Sequence, residues 1–338
     1  MVFIYRKYRI EDKNQVVDLL QHLWDYDASK RLRYFEWKFE QNPYTIDPLA
    51  YVAVDGDKVV AFRGYMVIPV QIDNRDYLCA VLADTVTHPD YQRKGLFSGV
   101  TNYSIKEILK DERYLISLNS SSGGKTLKGY TKLGWVPFCE REHLFRFTWK
   151  GIINKIISIS VPELQQETSS DEGKYLLSDT CDALSISSMP FKYTRLSHKR
   201  DYNLYKWRFY NPNATYKFAY SYDQSGELRS YLILFKISDD KWDLIDFNTI
   251  DSKDLKALFK WTCRHLQPLF ILLWTVSKTN IIYQSYSKFG FIPLNRILRL
   301  FKKFQKPPFL VREFNTLEHK IMDDPSKWDL YKLVADEI

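Results

Sequence analysis

Hydrophobic and polar positions along the chain follow two rhythms, one of period two and one near 3.6, and they alternate in a fixed order. Arg6 to Asp12 reads as a first strand running into a polar turn, with Asp12 as a helix N-cap. Val16, Val17, Leu19, Leu20 and Leu23 then share one helical face, and Phe35 to Phe39 opens a second short helix closed by Asn42-Pro43. Ala50 to Val54 and Val59 to Val67 read as strands about the turn Asp55-Gly56-Asp57. Ile68 to Ile72 and Tyr77 to Val86 form a further pair, and the unbroken apolar run Tyr77 to Ala83 is the pattern of a strand buried on both faces. Pro89 ends that strand. From Leu96 the rhythm is helical, through Val100, Tyr103 and Ile108, and it is followed by a strand Tyr114 to Leu118, a helix around Lys125 to Lys132 and a last strand from Val136.

Between the buried strand and the helix lies Val86-Thr87-His88-Pro89-Asp90-Tyr91-Gln92-Arg93-Lys94-Gly95-Leu96-Phe97-Ser98. A basic loop with one glycine at the start of a helix presents unpaired N–H groups and the positive end of the helix dipole, a seat for a pyrophosphate. Arg93 and Lys94 add charge. The stretch resembles the acyl-CoA-binding motif of the GNAT superfamily of N-acetyltransferases, Gln/Arg-x-x-Gly-x-Gly/Ala. Gln92 and Gly95 match, and Phe97 stands where the last small residue is expected. Downstream, Gly129-Tyr130-Thr131-Lys132-Leu133-Gly134-Trp135 resembles the family's Tyr-x-x-x-Gly-Phe helix ending. The resemblance implies an α+β, sandwich-like fold with a mixed, mostly antiparallel sheet flanked by helices, and acetyl-CoA or another acyl-CoA as co-substrate.

The pattern then recurs. Trp37-Lys38-Phe39-Glu40-Gln41-Asn42-Pro43 is echoed by Trp207-Arg208-Phe209-Tyr210-Asn211-Pro212, and each echo precedes a hairpin. Tyr130-Thr131-Lys132-Leu133-Gly134-Trp135-Val136-Pro137 recurs as Tyr286-Ser287-Lys288-Phe289-Gly290-Phe291-Ile292-Pro293. Two matching endpoints in the same order argue for a duplicated unit, hence two tandem GNAT-like domains. The expected division is a catalytic, CoA-binding domain over residues 1–150, a linker over 151–180, a degenerate second domain over 181–300 and a tail over 301–338 that packs on both. The second copy's loop, Phe247 to Leu255, has no glycine and no arginine but carries Asp251 and Asp254, which would repel a pyrophosphate.

Composition narrows the classes. A length of 338 residues accommodates two domains, and no run approaches the ~18 apolar residues of a membrane span. The start lacks the apolar segment of a signal peptide, and Cys79, Cys139, Cys181 and Cys263 are far apart with no C-x-x-C pair, which favours reduced thiols in a cytoplasmic protein. No zinc or HExxH spacing is present, so no metal is expected. The net charge of +8 suits an anionic partner such as CoA, and the interspersed basic residues carry no nucleic-acid motif.

Transfer of an acyl group from a thioester to an amine requires a neutral amine, a polarised carbonyl and a proton for the leaving thiolate. By the resemblance, main-chain N–H groups at a strand irregularity near Thr85 to Thr87 hold the carbonyl, and Tyr130 protonates the sulfur. Tyr130 has a second reading as a core aromatic packed with Leu127 and Leu133. Asp84, at the end of the buried strand, is the nearest carboxylate for a general base, and a strand-end Asp that caps a turn has the same signature; His88 is read as a base or as a turn residue. The expected CoA-binding set is Val86, Thr87, Gln92, Arg93, Lys94, Gly95, Leu96, Phe97, Ser98 and Asn119, with Ser120 to Gly124 as a pantetheine contact or a plain loop. Trp37 to Tyr44 borders an acceptor pocket or is structural. The acceptor implied by the resemblance is a small amine such as an amino sugar, a sugar nucleotide or an amino acid derivative, with surface-polysaccharide synthesis as the implied setting. A non-catalytic tandem scaffold and an aminoacyl transferase using charged tRNA are the rival readings.

Overall fold

The computed structural model describes residues 2–120, 124–139, 141–148, 167–170, 173–191, 196–276, 281–294, 308–315 and 324–335. In the first half the elements are β1 (Ile4–Lys7), α1 (Lys13–Leu19), α2 (Ala28–Phe35), β2 (Ala50–Asp55), β3 (Lys58–Ile72), β4 (Arg75–Thr87), α3 (Leu96–Ile108), β5 (Tyr114–Asn119), α4 (Gly124–Lys132), β6 (Val136–Cys139) and β7 (Glu142–Phe147). The chain continues through β8 (Glu167–Ser170), β9 (Gly173–Ser178), α5 (Ala183–Ser188), β10 (Leu196–His198), α6 (Tyr202–Arg208), β11 (Tyr216–Tyr222), β12 (Leu228–Ser238) and β13 (Lys241–Thr249). Last come α7 (Ser252–Leu266), β14 (Phe270–Thr275), α8 (Ile281–Gln284), β15 (Ile292–Pro293), β16 (Phe309–Glu313) and β17 (Trp328–Asp329).

Local chemistry explains the departures from the sequence pattern. The two strands expected over Val59–Ile72 are one, because the chain reverses only at Asp73-Asn74. Both residues have positive φ, 47° and 61°, a conformation that Asp and Asn tolerate better than other side chains. The second helix begins earlier than expected, at Ala28, where the Asp27 carboxylate accepts the Lys30 N–H. Asp12 does not cap α1; its carboxylate binds the Arg9 N–H and the Arg6 guanidinium instead.

Two sheets result. The first runs β1-β2-β3-β4-β5-β16-β6, with β10 and β17 joined to the far end of β3; the second runs β15-β7-β14-β13-β12-β11-β9-β8. Pairing is antiparallel except for β4/β5, β13/β14 and β10/β17. The boundary expected at residue 150 is crossed in both directions. Strand β7 leaves the first half to lie between β14 and β15, and β16, within the expected tail, inserts between β5 and β6. The exchange is reciprocal to the residue: Leu144 pairs with Pro293, and Leu310 pairs with Pro137. Each visiting strand brings an arginine, Arg146 or Arg312, whose Nη1 donates to the carbonyl of Phe289 or Leu133, just before a glycine at positive φ, Gly290 or Gly134.

The echoed tryptophans meet at the join. Trp37 and Trp207 stack with centroids 5.7 Å apart, and each indole N–H donates to the other's main-chain carbonyl, at 2.9 and 2.8 Å. Asn42 and Asn211 close equivalent turns by accepting the N–H two residues on. The duplicated motif therefore marks a pseudo-twofold axis.

Candidate functional site

The loop after β4 leaves a helix end open. Gly95 is the N-cap of the 13-residue α3 with φ +78°, supplies no side-chain cap, and has open space where a Cβ would stand. Gln92, Arg93, Lys94 and Gly95 are all exposed, as is Ser98 in the first helical turn. Leu96 differs: its side chain is buried with Ala53, Val60 and Ala61, so only its main chain serves the loop. The Phe97 ring turns to α4, edge-on to Tyr130 with centroids 5.3 Å apart, and Gly129 makes room for it, since a Cβ there would lie 3.0 Å from the ring.

Beside the loop the sheet splays. The β4/β5 pairing ends at Val81 with Leu118, and the rest of β4 runs on without that neighbour. Between Leu82 and Thr85 strand β4 advances three residues while β3 advances two, from Tyr65 to Arg63, which places a β-bulge at Ala83-Asp84. The irregularity lies just before the expected Thr85 to Thr87, which keep regular register with Ala61 to Arg63. Val86 is buried and Thr87 half-buried along this free edge. Asn119 ends β5 opposite Leu310, and the buried Ser120 hydroxyl has no hydrogen-bond partner among the described residues. Ser121 to Gly123 lie outside the described residues.

The second module has the same framework with its openings filled. Asp251 caps α7, its carboxylate accepting the Lys253 N–H at 2.8 Å, so a side chain already occupies that helix end. The β13/β14 pairing stops at Asp243 with Leu272, and the C-terminal segment enters the gap: Val276 N–H donates to Leu330, Tyr331 bridges to Thr275 and packs on Phe247, and Lys332 binds Asp243.

The two candidate catalytic side chains have separate surroundings. Tyr130 is 6% exposed, and its Oη accepts a hydrogen bond from Arg63 Nη2 at 2.8 Å. Asp84 accepts from Trp24 Nε1 at 2.9 Å and pairs with Lys38 Nζ at 2.8 Å. A cavity of about 380 Å³ opens on Asp84, lined by Trp24, Tyr34 and Lys38 from the first module and by Asn213 and Phe235 from the second. Of the run Trp37 to Tyr44, it is Lys38 that lines this cavity. His88 has the turn geometry, its Nδ1 accepting the Asp90 N–H. Lys38 thus falls within the run read as a pocket border or a structural segment, whereas Arg63 is not among the sequence candidates; its signal is a lone charge in an apolar strand.

Residues 4–138 match the family described as an acetyltransferase (GNAT) domain. Among solved structures, the chain is similar to a probable N-acyltransferase from Enterococcus faecalis, with a TM-score of 0.67, 11% identity, and coverage of 93% of this chain and 73% of that one. A GCN5-related N-acetyltransferase from Anabaena variabilis gives 0.61 at 12% identity, covering 93% and 73%. A tandem GNAT protein from the clavulanic acid biosynthesis pathway gives 0.51 at 10% identity, covering 94% of this chain and 100% of its own. A comparison with curated proteins gives no significant match. At these identities the structural likeness speaks for the fold, and both modules of the chain have it.

Proposed function

We propose, from the premise that residues 4–138 are a GNAT acetyltransferase domain, that the chain moves an acyl group from acyl-CoA to a small amine, with the chemistry in the first module. The observation that carries this reading is the contrast between the modules: the start of α3 has no side-chain cap and its sheet splays beside it, whereas Asp251 and the C-terminal segment fill the equivalent places in the second. A pyrophosphate suits the α3 end, with Arg93 and Lys94 as counter-charges and the main-chain amides of Gly95 to Ser98 as donors. Gln92 would border it, and the free edge of β4 at Val86 and Thr87, with Asn119 across the gap, would flank the pantetheine arm. Phe97, turned to α4, leaves the loop amides clear.

The thioester supplies the activated acyl carbon. Asp84, in the cavity, takes the proton from the incoming ammonium, directly or through water, and the Lys38 and Trp24 contacts hold its carboxylate in place. The amine nitrogen bonds to the acyl carbon and gives up its second proton to water, the C–S bond breaks, and Tyr130 gives its hydroxyl proton to the thiolate. The second module shapes the acceptor side through Asn213 and Phe235. Among the described lining residues the only cation, Lys38, is already paired with Asp84, which favours a plain amine such as an amino sugar over a sugar nucleotide with its diphosphate.

Calorimetry with acetyl-CoA tests the reading. Gly95→Glu puts a side chain at φ +78° and a negative charge where the diphosphate belongs, so it should abolish binding. No binding by the wild type, or full binding by the variant, would end the proposal.

A further inference from the structure

Arg63 lies in the middle of β3 with no exposed surface. Among the described residues no carboxylate pairs with it, and its Nε and Nη1 have no hydrogen-bond partner. Its guanidinium carbon lies 5.6 Å, 5.7 Å and 5.3 Å from the ring centroids of Tyr65, Phe97 and Tyr130. The rings offset part of the desolvation of the cation. They do not replace a counter-ion, and an apolar side chain of similar volume would fill the same space without that penalty. The remaining contacts indicate why a cation stands there: Nη2 donates to Tyr130 Oη at 2.8 Å and to Thr101 Oγ1 at 3.3 Å.

An arginine only donates, whereas a phenol has one hydrogen to give and lone pairs to receive. With Arg63 occupying a lone pair of Oη, the Tyr130 hydrogen must point to another acceptor. The rings packed on Tyr130, Phe97 and Trp135, offer no oxygen. We propose that Arg63 is a positioning residue for the transfer reaction, holding Tyr130 as a proton donor and facing the negative charge that develops on Oη as its hydrogen moves to sulfur. This rests on the function proposed above. The S–H bond forms as the O–H bond breaks, the phenolate sits against Nη2, and water returns the proton after CoA leaves.

A kinetic double-mutant cycle with Tyr130→Phe decides it, read as thiol release from acetyl-CoA with glucosamine as the acceptor probe. Arg63→Met should lower kcat by roughly 100-fold with the KM for acetyl-CoA within about twofold. Arg63→Lys, which keeps the charge but not the fork, should lose less. In the Tyr130→Phe background neither change should cost anything further. If Arg63→Met does not fold, the lysine cycle alone decides. An unchanged kcat in Arg63→Met, a loss confined to the acetyl-CoA KM, or an equal further loss in the Tyr130→Phe background would overturn the inference while leaving the transferase reading standing. Absence of wild-type turnover with acetyl-CoA binding intact would remove the inference, and absence of binding would remove both.

Discussion

Three donors and an imidazole converge on the buried carboxylate of Asp246. Arg200 Nη2 lies 3.0 Å from Oδ1, and the hydroxyls of Tyr205 and Tyr231 donate to Oδ2 at 2.6 and 2.8 Å. His198 Nε2 is 3.2 Å from Oδ1, near enough for electrostatic contact but out of line for a hydrogen bond. Burial alone would raise the Asp246 pKa, but Arg200 and His198 outweigh it and lower it from 3.8. Burial, then the Arg200 charge, lowers His198 from 6.5. Both groups bind protons more readily unfolded than folded, so each contributes stability at neutral pH that is lost on acidification. The melting temperature should therefore fall as the pH drops through 6.5, and fall again below 3.8. A His198→Gln variant should lack the first step; a melting profile of unchanged shape would contradict this. At the candidate site, Tyr130→Phe should cut kcat by about 10² or more and leave acetyl-CoA affinity nearly unchanged, measured by steady-state kinetics and calorimetry. Sequence made Asp84 and Tyr130 legible as candidates, because a carboxylate at the end of an apolar run and a tyrosine before a glycine each carry a pattern. It did not show that Asp84 answers to Lys38 and Tyr130 to Arg63, since those pairs join residues 46 and 67 positions apart.

At the scale of elements, the copies interlock through a tryptophan pair and two exchanged strands. Trp37 is 2% exposed and Trp207 6%, and each satisfies the other's main chain as well as its ring face. Trp207→Ala should cost about 3–5 kcal/mol in chemical denaturation, and adding Trp37→Ala should cost less than its own single-variant value, because the pair is already broken. Arg312→Ala removes the donor to the Leu133 carbonyl before the left-handed Gly134 and should loosen the turn that ends α4. Protection of amides 130–136 from hydrogen exchange would fall, and unaltered exchange would count against that role. The visiting strands were not legible as such. The period-two pattern places a strand after each Gly-aromatic-x-Pro ending, but pattern gives no partner, and the third repeated feature, Leu144-x-Arg146 against Leu310-x-Arg312, is too short to stand out in sequence.

Over the whole molecule, two similar halves have unequal fates. One open cofactor site per chain is expected, so acetyl-CoA titration should give a stoichiometry of one; a value of two would mean that the C-terminal segment yields its place beside β14. Duplication was readable from the echoed motifs, and the acidic character of the second loop from its aspartates, which include the cap of α7. How the halves are tied was not readable, because pairing between positions more than a hundred residues apart leaves no local trace. Since each sheet contains a strand from the other half, thermal unfolding should appear as one transition, with the same midpoint by fluorescence and by circular dichroism.

The exchange of β7 and β16 also governs how the protein is made. A nascent chain ordinarily folds its first domain while the second is still in the ribosome. Here the sheet that carries Asp84 lacks one strand until residues 309–313 have emerged, so the first half must wait, with its gap beside β5 unfilled, while the second half is synthesised.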